Sequence, residues 1–164
     1  MPRTCSMAPL LVGVLALALP TAAAAKDLRN RVGVGFNTFF DGGQNLAVRY
    51  VVPSGSDAMN IVVEGNAGFS TLSLDERFAA GGRLLTSVVA EDNMNFYLGG
   101  GLGYVKGPVD DHLRLQPLAS VDFFFFGLEN LGFTSSFGLN IDVGGGSNGL
   151  STASQASAGL TYWF

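Results

Sequence analysis

Six charged residues stand where charge is expensive. Arg49, Glu64, Arg83, Arg114, Asp122 and Asp142 are each flanked by apolar residues or glycine, inside stretches that otherwise alternate apolar with small or polar residues. Three guanidinium groups set against three carboxylates can pair to fill a space, or exchange partners along a gated path. Acid–base catalysis at neutral pH most often asks for a histidine, and the chain has one, His112, directly after Asp110 and Asp111. The nearest downstream serine is Ser120. A base must lie within hydrogen-bond reach of the group it serves. A histidine in a predicted loop and a serine inside a predicted strand do not meet that condition, so no catalytic residue is assigned. Asp110, Asp111 and His112 are a weak set for a divalent ion, because adjacent residues of an extended chain point in opposite directions. The glycine-rich stretch 144–149 lacks the Lys-Ser/Thr ending of a phosphate loop. No metal and no other cofactor is expected.

The elements that must position these groups are strands. Alternation between turn signals predicts eight of them, near 31–40, 45–53, 59–70, 78–89, 94–106, 113–126, 131–143 and 152–164. The connections hold Asp41-Gly42-Gly43, Pro53-Ser54-Gly55-Ser56-Asp57, Glu91-Asp92-Asn93 and further clusters at 73–77, 107–112, 127–130 and 144–149, all of them turn chemistry. No window carries helical periodicity, and no stretch after residue 25 is long or apolar enough for a membrane helix. Strands of about 9 to 11 residues suffice to cross a bilayer at a steep tilt. A bilayer tolerates no open sheet edge, so strands cross it only as a closed barrel.

Sorting each strand by its period of two gives one face with Val32, Val34, Phe36, Leu46, Val48, Ile61, Val63, Leu84, Leu98, Leu102, Phe123, Phe133, Phe137 and Leu139, free of charge at mid-strand. The other face carries Gly33, Gly35, Asn37, Asn66, Gly99, Gly101, Gly103, Gln116, Ser120, Thr134, Ser136 and the six charges. A soluble barrel turns its apolar face inward. Here the polar face is too rich in glycine and too poor in charge to serve as a soluble exterior, so the expected fold is all-β, an eight-stranded antiparallel up-and-down transmembrane β-barrel. Folding each hairpin about its turn places Arg49 across from Glu64, and Glu64 across from Arg83. Gly35 is expected beside Arg49, and Gly99 or Gly101 beside Arg83. Asp122 faces the second strand across the barrel and closes the network on Arg49, with Arg114 and Asp142 nearer the outer mouth. Such a network reads as a plug of paired charges, since side chains alone fill an eight-stranded barrel, or as a narrow pore for ions or small solutes whose pairs exchange.

The two ends of the chain give its expected address. Arg3, the apolar run 8–19, Pro20 and the alanines before Lys26 read as a secretory signal peptide over residues 1–25, leaving 26–164 as the barrel domain. Cys5, the single cysteine, precedes the apolar run, so cleavage would leave a protein without thiols. It would also leave eight basic residues, the nine of the whole chain less Arg3, against 13 acidic ones, a net charge of −5 with no basic patch for nucleic acid. The last eight residues read polar-x-Gly-x-x-aromatic-x-aromatic, through Ser157, Gly159, Tyr162 and Phe164. This octet resembles the assembly signal of bacterial outer-membrane β-barrels. The stretch 96–104, Phe-Tyr-Leu-Gly-Gly-Gly-Leu-Gly-Tyr, is similar to the glycine-and-aromatic strands of barrels of the outer-membrane protein A, X and W type.

That resemblance covers the whole chain at the level of architecture and reaches no subfamily. It implies a Gram-negative envelope protein in the outer membrane, recognised by periplasmic chaperones and the barrel assembly machinery, with both termini periplasmic. Tyr50, Phe96, Phe125, Phe133, Tyr162 and Phe164 would then form a periplasmic aromatic belt, and Phe40, Phe69, Phe78 and Tyr104 an outer one. Some small barrels of this kind modify lipid A with a His, a Ser and an acidic partner, which makes such an enzyme the third reading. The predicted outer connections are short, which argues against a large adhesive surface and for partners such as outer-membrane lipids, lipopolysaccharide or another barrel. The function expected is non-enzymatic, in envelope integrity or an interaction.

Overall fold

A computed structural model describes residues 27–40, 43–53, 60–70, 77–107, 110–125, 127–144 and 150–164; the expected signal peptide and most of the predicted turn tips lie outside them. Eight antiparallel strands close on themselves in chain order: β1 (Val32–Asn37), β2 (Asn45–Val52), β3 (Ile61–Ser70), β4 (Arg77–Glu91), β5 (Met94–Lys106), β6 (Asp111–Phe124), β7 (Leu131–Gly144) and β8 (Leu150–Trp163). Each is a neighbour of the next, and β1 pairs with β8 from Gly33↔Trp163 to Asn37↔Gly159. Among the described residues no helix is long and apolar enough to cross a membrane.

Alternation sets the faces. Val34, Phe36, Leu46, Val48, Leu84, Leu98, Leu102, Phe137 and Leu139 are exposed on the outside, Phe36 with 62% of its surface. Arg49, Glu64, Arg83 and Asp122 are buried inside. An apolar exterior around a charged interior is the polarity of a membrane-spanning barrel, because lipid solvates the outer side chains and the backbone bonds are satisfied around the ring.

Three expectations need correction. β1 stops at Asn37 rather than continuing to residue 40. Phe40, expected in an outer aromatic belt, is buried within the barrel, as is Phe39, each with 1% of its surface exposed. The cause is local: the Phe39 N–H bonds the Asn37 side-chain oxygen at 3.2 Å, and Phe40 takes a φ of 40°, which turns the chain inward off the barrel wall. Third, His112 lies on β6 rather than in a loop.

The interior is therefore filled from both ends. At the end carrying the C-terminus, Leu28, Val51, Val62, Leu85, Tyr97, Phe124 and Trp163 form an apolar base. At the far end Phe39 and Phe40 pack edge to face with ring centroids 4.7 Å apart. Glycines of β4 and β5 make room for them: a Cβ at Gly81 would stand 2.5 Å from Phe40 Cζ, and one at Gly103 2.5 Å from Phe40 Cε1.

Candidate functional site

Between the two apolar caps lies one layer of charge. Register places Arg49 opposite Glu64 and Glu64 opposite Arg83 on three consecutive strands. Arg83 donates to Glu64 Oε1 through Nε at 2.9 Å and also through Nη2. The Arg49 Nε lies 3.2 Å from Glu64 Oε2, and its Nη1 reaches across the barrel to both oxygens of Asp122, at 3.1 and 3.0 Å. Hydroxyls and amides complete the layer. Thr134 accepts from Arg49 at 3.1 Å and donates to Asp122 at 2.7 Å. Asn37 donates to Glu64 at 2.9 Å and to Asn66 at 2.6 Å, while Ser136 accepts from Arg83 at 3.4 Å and bonds Ser120 at 2.9 Å. Glycine faces each arginine from the neighbouring strand, Gly33 beside Arg49 and Gly101 beside Arg83. The first of these corrects the expectation of Gly35 by one inward position.

Aromatic rings cover this layer on both sides. The Arg83 guanidinium sits 3.5 Å from the centroid of Phe39, and that of Arg49 is 5.1 Å from Trp163. Arg49, Glu64, Asp122 and Trp163 expose 1%, 2%, 0% and 0% of their surfaces, so among the described residues this layer is buried from solvent. An ion taken out of water costs several kcal/mol unless it is paired and hydrogen-bonded. Two positive and two negative groups, interleaved, meet the pairing half of that requirement, while Arg49 Nε and Nη2, Glu64 Oε2 and Asp122 Oδ2 have no hydrogen-bond partner among the described residues.

Arg114 and Asp142 form a separate cluster toward the far end. Arg114 binds Asp142 with two parallel bonds, Nε to Oδ1 at 2.6 Å and Nη2 to Oδ2 at 2.8 Å. Its Nη1 donates to the Phe40 carbonyl, tying the inward-turned connection to β6. His112 joins this cluster, its Nε2 3.1 Å from Arg114 Nη2 and 3.7 Å from Asp142 Oδ1. Ser120, on the same strand, bonds Ser136 and the Ser135 carbonyl in the central layer. The structure therefore does not bring His112 and Ser120 together. Asp111 points away from His112 and accepts from the Tyr104 hydroxyl at 2.6 Å. Among the described residues no group of His, Cys, Asp and Glu is arranged to hold a metal.

Of the C-terminal octet, Ser157 faces inward with Trp163, and Gly159 pairs with Asn37. Tyr162 and Phe164 lie exposed on the outside with ring centroids 5.0 Å apart. To the six charges the structure adds Phe39, Phe40 and Trp163, together with Thr134, whose inward face was expected. The one sequence signal for the first two is the excess of inward glycine on β4 and β5, which leaves a void that the strands alone do not fill.

No family model matches the chain, and no curated protein matches it. Among solved structures, the crystal structure of Ail, the attachment invasion locus protein of Yersinia pestis, matches at 15% identity, covering 82% of this chain and 95% of that one with a TM-score of 0.38.

Proposed function

We propose that this chain is a sealed, non-enzymatic barrel of the bacterial outer membrane, acting in envelope integrity or an interaction through its outer surfaces rather than through its lumen. One observation carries this reading: the layer of Arg49, Glu64, Arg83 and Asp122 is paired within itself and covered by Phe39 on one side and Trp163 on the other. A conducting pore needs exposed charge and a continuous water path, and side chains close an eight-stranded lumen when they are this large. The partners that suit a sealed barrel are outer-membrane lipids and lipopolysaccharide along its apolar wall. Periplasmic chaperones and the barrel assembly machinery would act during its insertion, with Ser157, Gly159, Tyr162 and Phe164 as the assembly signal and both termini in the periplasm. Planar-bilayer recording tests the lumen. The wild type should be silent, as should Arg49→Ala or Glu64→Ala alone, because the aromatic caps remain. Steps of unitary conductance in the wild type would favour the pore reading instead.

A further inference from the structure

Tyr97 and Trp163 belong to the apolar base by packing, yet each carries a polar atom into it. The Tyr97 hydroxyl and Trp163 Nε1 are buried with no hydrogen-bond partner among the described residues. The same holds for Asp122 Oδ2, Arg49 Nη2 and both polar atoms of the Asn95 side chain. Asn95, Tyr97, Asp122 and Trp163 are wholly buried, and Arg49 nearly so. A buried donor or acceptor without a partner forfeits the bond that it makes to water when the chain is unfolded. One such atom is a local defect. Six of them at one level of the lumen call for something that bonds them together.

Register and contacts bring the six together. Asn95 pairs with Asp122 across the β5–β6 ladder, and Asp122 with Thr134 across the β6–β7 ladder. The Tyr97 hydroxyl stands beside the Asn95 and Asp122 side chains without hydrogen-bond geometry to either. Arg49 Nη1 bonds Asp122 Oδ1 at 3.1 Å and lies 3.0 Å from Oδ2, off the hydrogen-bond direction. The same guanidinium is 5.1 Å from the centroid of the Trp163 ring. The indole nitrogen is turned toward β7, where a Cβ built on Gly132 would stand 3.2 Å from it. Gly132 pairs with Phe124, and Phe124 is two residues from Asp122, so the indole N–H sits one side-chain step below the carboxylate. All eight strands are described at this level. Val51, Val62, Leu85 and Phe124 close it toward the C-terminal end, and Arg83 with Phe39 toward the other.

The occupant must accept from an indole, a guanidinium and an amide N–H, and donate to a carboxylate and an amide carbonyl. An apolar ligand does neither. The charges of Arg49, Arg83, Glu64 and Asp122 already cancel, so an ion of either sign would leave the buried layer unbalanced. Water donates and accepts at once, carries no charge, and fits a polar site bounded on all sides. We propose that Asn95, Tyr97, Asp122, Arg49 and Trp163 form a closed binding site for about two water molecules, at roughly three hydrogen bonds each, between the charge layer and the apolar base. The waters supply the hydrogen bonds that the ion pairs leave unmade, and they link Trp163 of the last strand to Asp122 of β6. Gly132 keeps the flank of the indole N–H clear of any side chain. The site rests on the sealed-lumen reading, because water continuous with bulk solvent would be a path and not a bound ligand.

Two measurements on the full chain test it. A crystal structure from a lipidic mesophase, at a resolution that shows ordered water, should give about two isolated peaks at this level, each about 2.7–3.2 Å from two or more of the six atoms. Trp163 is the chain's single tryptophan, so its indole N–H gives one NMR signal in the bilayer-embedded barrel. That proton should exchange with D₂O at least about a hundredfold more slowly than in free tryptophan. Tyr97→Phe should keep the heat-modifiable gel mobility and lose at least one peak. The proposal is overturned by a level without peaks, in which the six atoms bond one another directly. It is equally overturned by a peak about 2.4 Å from the Asp122 carboxylate, a cation's distance, or by a Tyr97→Phe structure that keeps every peak. A dry level with slow indole exchange would leave the sealed lumen standing. Indole exchange within about threefold of free tryptophan would refute the sealed lumen and the closed site together.

Discussion

Replacing Glu64 by Gln keeps the shape of the side chain and removes the charge that two arginines share. The consequences differ for the two partners. Arg49 retains both Asp122 contacts and Thr134, whereas Arg83 is left with Ser136 at 3.4 Å and the face of Phe39. Arg83 thus becomes the uncompensated buried cation, and stranding one member of a buried pair costs about 3–5 kcal/mol. Replacing both, as Glu64→Gln with Arg83→Met, removes the stranded charge and should recover more than half of that loss, since a buried pair exchanged for packed neutral groups is often near neutral. Urea unfolding of the vesicle-inserted barrel measures both. The chain has a single tryptophan, and Trp163 lies against Arg49 in the lumen, so its fluorescence reports on this layer. A loss below about 1 kcal/mol for Glu64→Gln, or a double variant that costs the sum of the two singles, would refute the paired-layer reasoning.

Gly103→Val forces a Cβ against Phe40, 2.5 Å from Cε1 and 2.6 Å from Cδ1; it should cost about 1–3 kcal/mol in the same unfolding assay, and Phe40→Ala in the same chain should relieve part of it. Arg114→Ala should cost less than Glu64→Gln, because the Asp142 side chain left behind is 18% exposed and is hydrated when the pair is lost. Just before β1, Arg29 holds the Asp27 carboxyl down to about 2 through side-chain and backbone hydrogen bonds. Arg29→Ala should return it toward about 3.9, read by NMR titration. A carboxyl lowered on folding adds stability above its unfolded pKa and loses it as pH falls through about 2; this pair is solvent-exposed, so acid unfolding should shift little in the variant. Phe164→Ala should lower the yield of inserted barrel in cells if the exposed Tyr162–Phe164 pair belongs to the assembly signal, measured as the heat-modifiable fraction of total protein.

Strand number, order and sidedness were legible in the sequence because a half-lipid, half-lumen strand has a strict period of two, and turn residues mark where it breaks. The Arg49, Glu64, Arg83 register followed from the positions of the two turns between them, since antiparallel pairing counts outward equally from a turn centre. The fate of Phe40 did not follow. Its even number continues the outward series of Val32, Val34 and Phe36, and only the Asn37 side-chain bond and the positive φ at Phe40 break that parity. These are local backbone choices that hydrophobic alternation does not encode. Phe39 and Phe40 then decide the character of the far half of the lumen, so the part of the site least visible in the sequence is the part that caps it. The placement of His112 shows the converse error: Asp110 and Asp111 read as turn chemistry, yet β6 begins at Asp111 because β5 offers a partner as far as Lys106.

The central claim is that this chain crosses a membrane as a closed barrel with its charge inside. Gel mobility of the membrane fraction, with and without boiling, tests it most directly. A folded barrel resists detergent at room temperature and migrates differently from the boiled, unfolded chain, so two bands that interconvert on heating are expected in the outer-membrane fraction. Recovery of the protein in the soluble fraction, with one mobility whether or not the sample is boiled, would contradict the account.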